Sequence, residues 1–278
     1  MKKWNLIIDV AKCHNCNNCF LANKDEHVDN EFPGYAAPQP RLGHRWIEIL
    51  RRERGRAPML DVAYLPTMCN HCDQAPCVTA SKDRAVHQRP DGIVIIDPQR
   101  AKGNREIVDS CPYHAIWWNE ERNVAQKWIF DAHLLDKGWN EPRCAQVCPT
   151  GAIRSLKAED AAMNELVRTE ALEVLHPEFG TRPRVYYKNL YRFTKCFIGG
   201  SVAVDRNGMV DCLEGVAVTL VRDGVRLAEL RTDAYGDYKF DNLDGGVYTI
   251  EIARPDQGKE VIEVRLGESQ YLGTMYLK

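Results

Sequence analysis

Six of the eleven cysteines stand in two tight triplets, Cys13/Cys16/Cys19 in CHNCNNC and Cys69/Cys72/Cys77 in CNHCDQAPC. Two others are each followed by proline: Cys111-Pro112, and Cys148-Pro149 in the run CPTGA. A [4Fe–4S] cube takes four thiolates, one per iron, typically three from a C-x2-C-x2-C run and a fourth from a remote Cys-Pro pair. Two triplets and two remote cysteines therefore provide for two cubes. Structural zinc is the rival chemistry. It prefers two C-x2-4-C pairs around one ion, and triplets this tight, with Cys-Pro partners in reserve, fit iron–sulfur better. With eight thiolates available, His14 and His71 inside the triplets are expected to point outward or to hydrogen-bond near a cluster. The next cysteine of the first run would fall at position 23, which is Asn23.

The elements that must position these thiols belong to a chain of 278 residues, a length that suggests about two domains. Hydrophobic residues make up 44% and charged residues 27%, as in an ordinary globular protein. A net charge of −2 lacks the basic field that nucleic-acid binding requires. The N-terminus, MKKWNLIIDVAK, has too short an apolar run for a secretory signal and no twin arginines. No apolar stretch approaches the ~18 residues of a membrane helix. A cytoplasmic location is expected, and so many cysteines without a signal argue against a disulfide scaffold.

The pattern changes near residue 196. Residues 1–195 hold the clustered cysteines, short apolar strands such as Ile93–Ile96, and proline-rich turns. Within them lie an insert at 28–66 and an aromatic segment at 176–195, Tyr186 to Phe193, expected to lie as a strap on a surface. Ala158, Ala162, Met163, Leu166 and Val167 predict a packing helix. The insert carries the basic run Arg51-Arg52-Glu53-Arg54-Gly55-Arg56, which reads as a solvated loop, with an acidic partner as the sharper alternative. Residues 196–278 read as all β. Val216–Val221 and Val225–Leu230 flank the hairpin signal Asp223-Gly224, Tyr248/Ile250/Ile252 and Ile262/Val264/Leu266 alternate with a period of two, and Leu272–Leu277 could close the sheet. The fold class is thus α+β, a two-cluster domain followed by a small β-sandwich. Cys196 and Cys212, without neighbouring ligands, read as ordinary buried or boundary thiols.

The tail segment TDAYGDYKFDNLDGGVY, Thr232 to Tyr248, resembles the core of transthyretin-like and Cna-B-like modules, which implies a fold and no chemistry. The cysteine-bearing part resembles the ferredoxin-like electron-transfer subunits of molybdopterin oxidoreductases, the DMSO reductase family, which carry four cysteine runs. In that family the first run folds with the fourth and the second with the third. The resemblance therefore implies that Cys13, Cys16, Cys19 and Cys148 hold one [4Fe–4S] cluster and Cys69, Cys72, Cys77 and Cys111 the other. Carried over in the same way, third-run positions fall at Ala101, Asn104 and Ile107 with Ser81. Fourth-run positions fall at Trp128, Asp131 and Cys144 with Asn23. Neither set can hold a cube. Trp128 is expected to help fill the space, and Cys144 to be a stranded, inert thiol.

DVAKCHNCNNCF, GHRW and RRERG, the segment PRVYYKNLYRF and the β-rich tail resemble most closely the small subunits of pyrogallol–phloroglucinol transhydroxylases and anaerobic resorcinol hydroxylases. This implies a large catalytic partner with a molybdenum bis-pterin cofactor that binds polyphenols. Loss of the fourth-run cluster departs from the family pattern and breaks its line of clusters. A transhydroxylase moves no net electrons and would tolerate that, whereas a hydroxylase would need an electron acceptor docking close to the first cluster, or a different route. The chain has no paired nucleophile and base, no nucleotide-binding glycine loop and no open metal site, so catalysis is expected on the partner. The alternative role is a structural subunit whose clusters staple its fold and shield the partner's site.

Overall fold

Strand β1 (Lys3–Asp9) is buried along Trp4–Ile8, since it runs down the middle of a sheet with side chains covered on both faces. A computed structural model describes residues 1–254 and 258–277. The remaining strands are β2 (Ile47–Arg56), β3 (Met59–Met68), β4 (Val86–Gln88), β5 (Val94–Ile96), β6 (Trp117–Asn119), β7 (Val124–Gln126), β8 (Ile153–Ala158), β9 (Val185–Lys188), β10 (Cys196–Arg206), β11 (Met209–Cys212), β12 (Ala217–Arg222), β13 (Val225–Arg231), β14 (Asp237–Leu243), β15 (Gly246–Arg254), β16 (Gly258–Leu266) and β17 (Gln270–Leu277). The chain divides into two units: Met1–Leu50 with Tyr64–Leu190, and Arg51–Ala63 with Tyr191–Lys278.

In the first unit β1 pairs antiparallel with β8 and parallel with β9. Within the segment expected to be a strap, Val185–Lys188 is therefore a sheet strand, while Pro177–Phe179 and Tyr191–Thr194 are short helical turns. Tyr187 is fully buried and its hydroxyl donates to the Pro66 carbonyl at 3.0 Å. Helix Asp160–Thr169 packs Met163 against Ile7 and Leu172, whereas Ala158, expected in the same stripe, ends strand β8 instead. Two two-stranded ribbons, β4–β5 and β6–β7, complete the sheet structure of this unit, and the residues of a third, β2–β3, are divided between the two units. A separate apolar cluster gathers Val86, Val94, Ile96, Ala101, Ile107, Ile116 and Val124 around Cys77. No helix among the described residues is long and apolar enough to cross a membrane.

The second unit is a pair of four-stranded sheets. One has the order β11-β10-β14 with β17 parallel to β10, and the other the order β13-β12-β15-β16. Alternate residues Val218/Leu220, Tyr238/Phe240, Tyr248/Ile250/Ile252 and Val264/Leu266 fill the layer between them. The TDAYGDY stretch is a turn held by its own side chains. Thr232 Oγ1 donates to the Leu213 carbonyl at 2.6 Å, and Asp233 Oδ1 accepts from the Tyr235 and Asp237 amides, both at 2.9 Å. Gly236 has φ +77°, and a β-carbon there would lie 2.3 Å from the Val202 carbonyl oxygen. Only glycine fits.

The basic run is not a solvated loop. Arg51–Arg56 lies in β2 and clusters with the second unit, so the unit boundary cuts through the insert that the sequence places with the first domain. Arg54 is buried, donating to both oxygens of Asp241 at 2.8 and 3.0 Å and also to Asp61. Burial, the largest single influence, would raise the Asp61 and Asp241 pKa values, but the lowering contacts together outweigh it: Arg54 for both, with Arg192 and Lys239 at Asp61 and the Asn242 amide and Lys239 at Asp241. Cys196 is buried as expected, whereas Cys212 is exposed.

Candidate metal centres

The first triplet occupies the loop after β1 and the first turn of helix Asn18–His27. Asn15 and Asn17 adopt positive φ of 56° and 61°, a conformation that asparagine tolerates better than most residues. The loop thereby curls, with the Asn15 amide directed at the Cys13 sulfur and the Phe20 amide at that of Cys19. Cys148 follows the short helix Arg143–Gln146, which is clamped against Asn18–His27. Arg143 bonds Glu26 at 2.7 Å and Asp25 at 2.9 Å, and the Asn18 amide reaches the Val147 carbonyl at 3.5 Å. Residues far apart in sequence are thus brought to one place. Burial pushes the Cys13 thiol up, and Cys148 and Cys16 add to the rise. Burial takes Cys19 to about 12, reinforced by Cys13, Cys16 and Cys148. Cys16 is exposed, and Cys13 and Cys148 are half-buried.

The second triplet follows β3 and ends in helix Pro76–Ala80, while Cys111 follows helix Glu106–Asp109. Burial pushes Cys72 and Cys77 up to about 12, and each also responds to Cys69 and Cys111. Cys111 is raised by burial first and then by Cys69, while the amides of Ala115 and Tyr113 pull the other way. Segment 181–182 is pinned alongside, with the Asp73 amide on the Arg182 carbonyl at 2.9 Å and the Gln74 amide on the Thr181 carbonyl at 3.0 Å. Cys69, Cys72 and Cys77 are buried, unlike most of the first quartet.

Within each quartet the thiols act on one another, yet among the described residues no three His, Cys, Asp or Glu side chains converge tightly enough for a single ion. Each quartet offers three thiols from one triplet and a fourth from a remote Cys-Pro pair, which is the donor set that a cube with one thiolate per iron takes. Thiols held this high remain protonated at neutral pH until a metal displaces the proton.

His14 is exposed, but His71 is buried at 1%. The Val94 amide donates to its Nδ1 at 3.0 Å, which leaves the ring hydrogen on Nε2, an atom with no protein partner. Burial, followed by the charge of Lys127, drives its pKa down, so the ring is neutral.

The third-run positions Ala101 and Ile107 are fully buried inside the apolar cluster around Cys77. At the fourth-run positions Trp128 is fully buried and stacked on Phe130 at 4.8 Å. Asp131 accepts from the Arg143 amide at 2.8 Å and lies 3.3 Å from His27 Nε2. Cys144 is 1% exposed, and burial first, then Asp131, Cys19 and Cys148, hold its thiol well above the usual range. Asn23 is buried with both amide atoms unpartnered. Thr181 and Lys127 also border the second quartet. Neither was visible as part of a site, since no local spacing ties them to a cysteine.

Residues 60–157 match the family model of the 4Fe-4S dicluster domain. The chain is 51% identical over 255 residues to the pyrogallol hydroxytransferase small subunit of Pelobacter acidigallici, covering 91% of each. It is 31% identical over 192 residues to one of the subunits of tetrathionate reductase from Salmonella typhimurium, covering 68% of this chain and 73% of that one. Among solved structures, the 5-hydroxyisourate hydrolase of Klebsiella pneumoniae superposes on 30% of this chain and 91% of its own, at 22% identity and a TM-score of 0.26.

Proposed function

The chain belongs to the family of pyrogallol hydroxytransferase small subunits, among the iron–sulfur subunits of the molybdopterin oxidoreductases, and from that premise we propose that it holds two [4Fe–4S] clusters beside a large catalytic partner that hydroxylates or transhydroxylates polyphenols. Cys13, Cys16, Cys19 and Cys148 hold the first cluster, and Cys69, Cys72, Cys77 and Cys111 the second. The partner carries the molybdenum bis-pterin cofactor. The observation that carries this reading is the meeting of two triplets with two remote Cys-Pro cysteines, each thiol within electrostatic reach of others in its own quartet.

Bound clusters would supply one-electron storage. The chain's own residues do the rest. Amides of Asn15, Phe20, Tyr113 and Ala115 face the sulfurs and stabilise their negative charge. Burial of the second triplet excludes water from that site, while the exposed Cys16 leaves the first one open to an electron acceptor.

A second reading is favoured by the packing at the fourth-run positions, where Trp128 and Phe130 stack in a filled interior. In that reading the clusters staple the fold and shield the partner's active site without relaying electrons from end to end.

The complex, purified anaerobically with its native partner, is tested by iron and sulfide quantitation, low-temperature EPR and metal analysis. About eight irons per chain are expected; about four would remove one cluster, and zinc in place of iron would overturn the reading. Turnover of pyrogallol or resorcinol with and without an external acceptor separates a hydroxylase from a transhydroxylase. Turnover that ignores cluster reduction, in a complex that fails to assemble without the clusters, would favour the structural role.

A further inference from the structure

Lys127 is only 1% exposed, and among the described residues no carboxylate lies within ion-pair distance of it. Its ammonium donates to two neutral carbonyls, Val94 at 2.5 Å and Trp128 at 3.2 Å. An unpaired charge in a protein interior costs several kcal/mol, so an opposite charge should lie near. The candidates are the thiols of the second quartet. The charge of Lys127 reaches Cys77 and Cys111.

One residue of β5 sets the geometry. The Val94 carbonyl holds the Lys127 ammonium, and the Val94 amide holds His71 between Cys69 and Cys72. Val94 also belongs to the apolar cluster that contains Cys77 and borders Cys111. Lys127 is thereby fixed on the same wall as the second quartet, with no freedom to reach solvent. Neutral His71 brings no competing positive charge.

We propose that Lys127 is the built-in counter-charge of the second cluster and favours its reduced state. This rests on the assignment of Cys69, Cys72, Cys77 and Cys111 as that cluster's ligands. Four thiolates make the site negative, and one-electron reduction adds a further negative charge with no bond made or broken. A fixed ammonium nearby stabilises the reduced form more than the oxidised one. Among the described residues the first quartet faces no equivalent buried lysine, so the effect is confined to the second.

The test is an EPR-monitored redox titration of the intact complex, reduced stepwise with dithionite. It compares the unaltered protein with Lys127→Gln and Lys127→Arg, and a Cys16→Ser protein identifies the first cluster's signal. In Lys127→Gln the oxidised-to-reduced ratio of the second cluster at a fixed potential should rise at least tenfold, a downward shift of about 59 mV. Lys127→Arg should stay near the unaltered value, and the first cluster should not move. If Lys127→Gln loses the second cluster's iron while Lys127→Arg keeps it, the need for charge is equally supported. An unmoved potential in Lys127→Gln overturns the proposal, as does equal iron loss in both variants, which would assign Lys127 to packing alone. Absence of a second cluster from the unaltered complex would overturn the ligand assignment itself, a result told apart by its iron content.

Discussion

The hydroxyl groups of Tyr113 and Thr181 lie 2.6 Å apart, and the Thr181 hydroxyl also faces the sulfur of Cys72. A threonine hydroxyl has one hydrogen to give. If it goes to the sulfur, Tyr113 must donate to Thr181, and two segments of the second site are tied by one chain of donors. Thr181→Val removes the donor at nearly constant volume and should weaken the site by about 1 kcal/mol. The measurement is the rate at which a chelator strips iron. Half of the iron should leave several-fold faster, with Thr181→Ser close to the unaltered protein. Equal rates in the valine variant would count against the link.

Cysteine replacements distinguish ligands from bystanders. Cys16→Ser should lower iron from about eight to about four per chain. Cys144→Ala should leave it unchanged, although Cys144 is the more buried of the two. Loss of iron in Cys144→Ala would mean that the grouping of the sulfurs is wrong.

Trp128 and Phe130 stack at 4.8 Å in a fully buried setting. Trp128→Ala should open a cavity and destabilise the first unit by roughly 3–5 kcal/mol, read from thermal or denaturant unfolding. Iron content should hold at its original value under mild conditions. A variant as stable as the original would show that the indole fills no space that matters.

Arg89 grips both oxygens of Asp136, at 2.7 and 2.8 Å, and Tyr35 adds a hydrogen bond of 2.6 Å. The hydrogen bonds from Arg89 are the chief reason that Asp136 titrates at about 2. Its unfolded value is about 3.9. The folded pKa is the lower one, so the pair's contribution is complete above about pH 4 and vanishes as pH falls through about 2. Arg89→Ala should therefore be less stable than the original at pH 6, with the gap closing on acidification. A gap independent of pH would place the effect in packing instead.

The cysteine runs were readable because their spacing is local, and a ligand set of four is a small arithmetic constraint. The sandwich was readable in the alternation of Tyr248, Ile250 and Ile252, now facing the layer between two sheets. Arg54 was not. Its neighbours Arg52, Glu53 and Arg56 read as a solvated run, and of its two carboxylate partners one, Asp241, stands 187 residues away. Tyr187 misled for a related reason. An aromatic segment looks alike whether it covers a surface or enters a sheet, and only its parallel register with β1 decides. Lys127 and Thr181 show the general limit, since each matters through a neighbour that no spacing rule reaches.

The uneven depth of the two cysteine quartets bears on how the protein withstands air. Dioxygen arriving from outside meets the sulfur of Cys16 at the surface, whereas Cys69, Cys72 and Cys77 are sheltered. With two clusters held as proposed, the brown colour should bleach in two stages, the outer cluster failing first and the inner one persisting until the fold loosens. A partner seated over the loop of Asn15 and Asn17 would merge the two stages into one slow decay.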